Sequence, residues 1–262
     1  MSKTAKRSSR NFLLDFGLYT VLLLGGQSSL GAEPNSGALS PYRAVYSANY
    51  NGMDVKATRE LKIEGNSYSV SSNIEGMLGS ISEREDFHLD VQGGIQPDRY
   101  RMRKSFIGID QEEKFDVDPA TRLGVFVRKK KRRELTLKPE HLGPVSYQVQ
   151  MRRDIETTIR TASTAGLTGK TFSYPVFSRG KIREYQFEIL ASEETATGVG
   201  VIPTLKLQRV RADGKRKTVF WVAPAWNFLI VKIQQQEDGE QYEMVLEQAT
   251  INDQAVSPAE AR

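Results

Sequence analysis

The chain has 262 residues and no cysteine, which excludes a disulfide framework and attachment of lipid at a lipobox cysteine and leaves packing to hold the fold. Its 37 Lys/Arg outnumber its 32 Asp/Glu, for a net charge of +5 and a pI of about 9.3. From Glu33 onward, however, 33 basic residues face 31 acidic ones, so bulk charge gives no reason to expect a nucleic-acid partner.

The first 32 positions read as a leader. Lys3, Lys6, Arg7 and Arg10 precede an apolar stretch from Phe12 to Leu24, and small residues follow at Ser29, Gly31 and Ala32. Basic, apolar and small segments in that order are what the export machinery reads, so a cleaved secretory signal peptide and a periplasmic address are predicted. Asp15 interrupts the apolar run, which is shorter than the roughly 20 residues a membrane-spanning helix needs. Residues 33–41, rich in Pro, Gly, Ser and Asn, read as a flexible segment. A single β-rich domain is expected over 42–252 and a C-terminal tail over 253–262.

Alternation with period two begins at Tyr42 and recurs over Val55–Ile63, Ser67–Ile74 and Arg84–Val91, with turn signals at Gly65, Asn66 and the pair Gly93, Gly94. These runs predict strands. Asp86, His88 and Asp90 would share one strand face, where a divalent metal could meet them, but that is also where an exposed strand puts its polar residues. No metal site is assigned.

Six consecutive cations follow: Arg128, Lys129, Lys130, Lys131, Arg132 and Arg133. Alternate residues of a half-buried strand point into the core, so the run is expected at an exposed hairpin end or edge. It is a candidate for docking to an anionic surface such as phospholipid headgroups. Without interleaved aromatics it does not resemble a nucleic-acid site.

Between Val145 and Glu156 the period changes: Tyr147, Met151 and Ile155 recur every four residues, as do Val145 and Val149. One short helix is predicted over about 145–156, ended by the Thr-rich stretch beyond it. Gly166, Leu167, Thr168, Gly169, Lys170 and Thr171 resemble the end of a phosphate-binding loop, but Thr164 stands where a glycine is needed and a β-like run follows, so a turn is expected. No Gly-x-Ser-x-Gly elbow surrounds Ser146 or any other serine, which leaves a hydrolase a distant possibility.

In the C-terminal third, Val199–Arg211 and Thr218–Ala223 flank Asp213 and Gly214, and Phe228–Gln236 and Tyr242–Gln248 flank Asp238 and Gly239. Asp-Gly between alternating runs predicts two antiparallel hairpins. The chain is therefore expected to be mainly β, a large antiparallel sheet curled into a half-barrel, barrel or sandwich with one helix. Tyr174, Tyr185, Phe187, Trp221 and Trp226 gather in this part of the sequence as candidates to line a cavity for a hydrophobic ligand, or simply to fill the core.

Several stretches carry a family resemblance: Val145–Ile155; Tyr174, Pro175, Val176; Tyr185, Gln186, Phe187; Leu205–Arg209; and above all Phe220, Trp221, Val222, Ala223, Pro224 with Phe228–Ile233, Asp238 and Gly239. Tyr46, Ala48, Tyr50, Gly52 and Ile95, Gln96, Pro97, Tyr100 extend it toward the N-terminus. The chain resembles the bacterial DUF3108 family of exported proteins of unknown function, whose members usually carry proline where Ile230 stands. The resemblance implies a periplasmic β-rich domain and brings no activity and no site residues. The expected function is a cofactor-free, non-enzymatic binding or carrier module for a hydrophobic or envelope-derived ligand such as a lipid; the alternative is an envelope protein–protein interaction or scaffold protein without an enclosed ligand cavity, and an envelope protein or an anionic membrane surface is the partner expected for the basic run.

Overall fold

The computed structural model describes residues 39–50, 53–161, 166–211, 216–237 and 240–258. The leader and the turns at Asp213, Gly214 and at Asp238, Gly239 lie outside the described residues. The N-terminal half forms eight strands: β1 (Tyr42–Tyr50), β2 (Met53–Glu64), β3 (Ser67–Gly76), β4 (Gly79–Leu89), β5 (Ile95–Phe106), β6 (Ile109–Val117), β7 (Leu123–Arg128) and β8 (Lys131–Thr136). After the helix α1 (Tyr147–Thr161) come β9 (Thr171–Ser178), β10 (Lys181–Thr197), β11 (Gly200–Val210), β12 (Arg216–Ala223), β13 (Leu229–Glu237), β14 (Glu240–Ile251) and β15 (Gln254–Ala255).

Each strand pairs antiparallel with the next in both halves, and β1 pairs with β14, from Tyr42 opposite Ile251 to Ala48 opposite Met244. The result is one 15-stranded sheet with β1 and β14 at its middle and β8 and β9 at its ends, plus β15 on β14. The antiparallel sheet expected from alternation is what forms, and the runs flanking the two Asp-Gly pairs are the paired strands β11–β12 and β13–β14. Residues 253–255, read as the start of a tail, instead turn back so that β15 pairs with Thr250 and Ile251.

Register shifts at Val45/Tyr46, Asp86/Phe87, Ile189/Ala191 and Trp221/Val222 bend their strands, as bulges do, and help the sheet curl. Its far strands come together through side chains. Phe115 of β6 stacks on Phe177 of β9 with ring centroids 3.7 Å apart, and Phe126 of β7 meets Phe177 edge-on at 5.8 Å. No ladder joins β8 to β9; Leu142 instead lies along the outer edge of β9, its N–H donating to the Pro175 carbonyl at 3.0 Å and its carbonyl accepting from Phe177 N–H at 2.7 Å. The sheet is curled and unclosed.

The helix lies on the concave face, with Tyr147, Val149, Met151 and Ile155 buried as their spacing predicts. It continues five residues past the expected end at Glu156. Threonine is only mildly unfavourable in a helix, and here Thr158 and Thr161 donate to the carbonyls four residues back, of Asp154 at 2.7 Å and Thr157 at 2.9 Å, which satisfies their hydroxyls without breaking the backbone ladder. No helix among the described residues is long and apolar enough to cross a membrane.

Candidate functional site

The concave face differs along the sheet. In the C-terminal half it is aromatic. Tyr185 and Phe187 alternate inward along β10, opposite Tyr174 and Phe172 of β9, and α1 packs on Tyr174, Tyr185 and Phe187. Tyr147 meets Tyr185 edge-on at 5.2 Å and stacks with Phe187 at 5.8 Å, while Phe220 of β12 closes on Phe187 at 5.8 Å. The Tyr174 hydroxyl donates to Asp154 of the helix at 2.9 Å. A cavity of about 10 Å³ lined by Tyr42, Tyr46, Arg59, Val149, Arg152 and Ile230 remains beside α1, room for about one water. Of the sequence candidates, the structure thus brings Tyr174, Tyr185 and Phe187 together around the helix. Trp221 faces the other side of the sheet, its indole N–H donating to Glu193 and its ring flanked by Lys206 and Lys232, each 5.0 Å from the centroid. Trp226 is buried in the 3-10 turn, Pro224–Trp226, that links β12 to β13.

In the N-terminal half the concave face carries charge. Arg59, Ser72, Glu83, Met102, Glu113 and Arg128 form one row across β2 to β7, each opposite the next. Val70, Glu85, Tyr100, Phe115 and Phe126 form the next. Glu85 is fully buried. It accepts from the backbone N–H groups of Val145 at 2.7 Å and Ser146 at 2.9 Å, and from the Ser146 hydroxyl. These are donors that the start of α1 leaves without intrahelical partners, and a carboxylate there also favours the helix dipole. Burial nevertheless pushes the Glu85 carboxyl up to about 7, against those hydrogen bonds. Gly143 is required at the approach to the helix, because a Cβ there would lie 1.8 Å from Glu85 Oε1.

Burial also raises the Glu83 carboxyl, which accepts from the Tyr100 hydroxyl at 2.8 Å. Glu113 is raised by burial and drawn back by Arg128, Arg179 and Lys104; Arg128 Nε stands 3.3 Å from its Oε1. Of these charges only Arg128 was singled out from the sequence, and there as part of the basic run; the buried carboxylates were not. The signal is present in Ser80–Asp86 and Arg99–Lys104, which are polar on both faces and so cannot have an apolar inner side.

The basic run makes the β7–β8 hairpin: Arg128 ends β7, Lys129 and Lys130 form the turn, and Lys131, Arg132 and Arg133 open the edge strand β8, all exposed beyond Arg128. Arg133 stands opposite Phe126 and so shares its face. Across the gap, Arg183 alternates with buried Tyr185 and Phe187, and Arg209 lies opposite Phe187 with its guanidinium 3.5 Å from the Tyr185 centroid. Burial lowers the Arg183 pKa, and Arg179, Arg209 and Arg133 lower it further. Arg183 Nε and Nη1 are buried without a hydrogen-bond partner. Several guanidinium groups therefore converge at one end of the concave face, where the ends of the sheet meet.

The remaining sequence candidates are dispersed. His88 Nδ1 lies 2.9 Å from Asp98, while Asp90 accepts from the N–H groups of Gln92 and Gly94 in the β4–β5 turn. No group of three His, Asp or Glu residues suited to a metal is found among the described residues. His141 Nδ1 accepts from Lys138 N–H at 3.0 Å, and burial lowers its pKa. Ser146 is fully buried against Glu85 and offers no accessible nucleophile. Gly169 N–H donates to the Ile189 carbonyl and Lys170 N–H to the Leu167 carbonyl, so their amides do not converge on a phosphate.

No curated protein matches the chain. Among solved structures, a β-barrel-like protein of the domain of unknown function DUF1849 from Brucella abortus is similar over 81% of this chain and 98% of its own, with 10% identity and a TM-score of 0.51. A Bacteroides fragilis protein with a YmcC-like fold aligns over 80% of this chain and 94% of its own at 12% identity, with a TM-score of 0.27. The first likeness is one of fold and agrees with the curled sheet described above. The model of the family of proteins of unknown function DUF3108 matches residues 45–247, spanning β1 to β14, and the chain belongs to the DUF3108 family.

Proposed function

We propose that this protein is a non-enzymatic binding module of the bacterial cell envelope, exported to the periplasm, that takes an anionic envelope-derived ligand at the cationic end of its concave face. The observation that carries this reading is the gathering of Arg209, whose guanidinium lies 3.5 Å from the Tyr185 centroid, of Arg183, two positions before Tyr185 on β10, and of Arg133, which packs against Gly180 of the β9–β10 turn, with Nε and Nη1 of Arg183 buried and without partners. Like charges held together in a partly desolvated site destabilise the empty protein, and an anion that pairs with them relieves that cost. The neighbouring acids are engaged elsewhere: Glu113 with Arg128, and Glu237 with Arg216. The aromatic cluster is filled by α1, so an acyl chain is not expected to occupy it, and this narrows the carrier reading to ligands held by their charge.

The test is native mass spectrometry of protein recovered from the periplasm, followed by solvent extraction of whatever is bound. A stoichiometric anionic molecule, lost in the double variant Arg183→Gln, Arg209→Gln, is the expected result. A bare-chain mass, or a bound molecule retained by that variant, would overturn the reading.

A further inference from the structure

We infer that the end of the sheet carrying the β3–β4, β5–β6 and β7–β8 turns is a docking edge for an anionic phospholipid surface. In an antiparallel meander every second turn lies at the same end, which places these three together, along with the β9–β10 turn at Arg179 and Gly180. Two of the three tips are apolar. Met77 is 86% exposed and Leu78 37% at the β3–β4 turn, and Ile107 is 81% exposed at the β5–β6 turn. The tips are immediate neighbours, since Gly76 stands opposite Gly79, Gly79 opposite Phe106 and Phe106 opposite Ile109. Hairpin tips in water are normally polar, and no described residue covers these.

The third tip is Lys129 and Lys130, flanked by Lys131 and Arg132, all exposed. Of these four, Arg132 forms a salt bridge, with Glu134 at 3.0 Å, and among the described residues the three lysines are in none. Arg128 pairs with Glu113, four residues along β6 from Ile109, so the basic tip is set back from the apolar ones by about 13 Å along the strands. That stagger suits a bilayer boundary: apolar side chains enter below the headgroups while lysines remain level with the phosphates. Among the described residues, the acids beside these tips, Asp54, Glu75, Asp110 and Glu112, lie on the strands behind them, with Glu112 paired with Lys114; farther along the same end Glu237 and Glu240 flank the β13–β14 connection, and Glu237 is paired with Arg216. What favours a bilayer over a protein partner is the pairing of apolar tips with a cluster of exposed lysines set back from them, the arrangement of an interfacial membrane anchor. The charge pattern therefore selects an anionic lipid surface. This inference goes beyond the ligand reading, although Arg133 and Arg183 lie toward the same end and docking would bring them near lipid headgroups.

The experiment is co-sedimentation of the protein as exported, its N-terminus established by mass, with vesicles of phosphatidylglycerol and phosphatidylcholine in equal parts and with vesicles of phosphatidylcholine alone. Binding to the anionic vesicles alone is expected, weakening as salt is raised. It should fall by about tenfold or more in Met77→Ser, Ile107→Ser and, separately, in Lys129→Gln, Lys130→Gln, Lys131→Gln. These positions are exposed, so an unchanged thermal midpoint should accompany each loss. Equal binding to both vesicle types, or anionic binding that survives both variants, would overturn the inference, as would co-purification of a protein partner by a chain that binds neither vesicle. Because neither variant touches Arg183 or Arg209, a stoichiometric ligand retained by a variant that no longer sediments separates failure of docking from failure of ligand binding.

Discussion

Strands β9 to β13 turn Tyr174, Tyr185, Phe187, Leu207, Phe220 and Ile233 toward the concave side, whereas β2 to β6 turn Arg59, Glu83, Glu85, Lys104 and Glu113 inward beside Leu61, Val70 and Phe115. The aromatic surface packs on α1 and is stabilised by burial of apolar area. The charged surface is tolerated through its carboxylates, which bond within it and to the start of the helix: Glu83 to Tyr100, Glu113 to Arg128 and Glu85 to Val145 and Ser146, while Arg59 Nε is buried without a hydrogen-bond partner among the described residues. Glu85 sits on the boundary, a residue of the charged half that anchors the element covering the aromatic half. The comparison shows that α1 does two jobs: its apolar face completes the core, and its N-terminus gives a buried carboxylate its partners.

The aromatic half should be the more sensitive to truncation. Phe187→Ala removes a fully buried ring in contact with Tyr147, Tyr174 and Phe220 and should cost about 3–5 kcal/mol of folding stability in denaturant titrations. A loss well under about 1 kcal/mol would mean that the helix is not packed there.

At the boundary, Glu85→Ala should cost roughly 1–3 kcal/mol by leaving the buried amides of Val145 and Ser146 unpaired. Glu85 should also give the protein a distinctive pH dependence. Its folded value of about 7 lies above the ordinary 4.5, so the folded state holds the proton more tightly than the unfolded chain. The stabilisation tied to this group is complete below about 4.5 and is lost as pH rises through about 7. Relative to Glu85→Gln, which cannot titrate, the natural protein should become less stable across that window, measured as a falling denaturant midpoint. A constant difference between the two proteins would show that Glu85 titrates as an exposed carboxylate does.

The smallest effect is expected where the two halves meet. A double-mutant cycle between Phe115 and Phe177, stacked at 3.7 Å across sheet ends with no shared ladder, should give a coupling of about 0.5–1.5 kcal/mol. Additive single variants would mean that the ends of the sheet are not joined in solution.

Much of the strand content was legible because half-buried strands announce themselves by alternation, as in Val55–Ile63 and Thr218–Ala223. The stretch from Ile95 to Thr136 was harder to read: strands such as β6, with Glu112, Glu113 and Lys114 in succession, carry charge on both faces and show no period. The placement of the basic run in a hairpin followed from the impossibility of burying alternate cations. By contrast, that Tyr185 and Phe187 serve the helix while Trp221 faces away depends on which side of β10 and β12 is concave, and alternation does not say which of two faces is inside.

By itself, then, the sequence determined the class of the fold, the neighbours along the chain and the position of the helix, because these follow from local periodicity and turn chemistry. Tertiary structure alone decided that β1 joins β14, that Phe115 reaches Phe177, and that Arg133, Arg183 and Arg209 converge although they are remote in sequence. Those contacts exist because the curling of the whole sheet brings its two ends together, and curling is a sum over many bulges, twists and packed side chains that no single segment encodes.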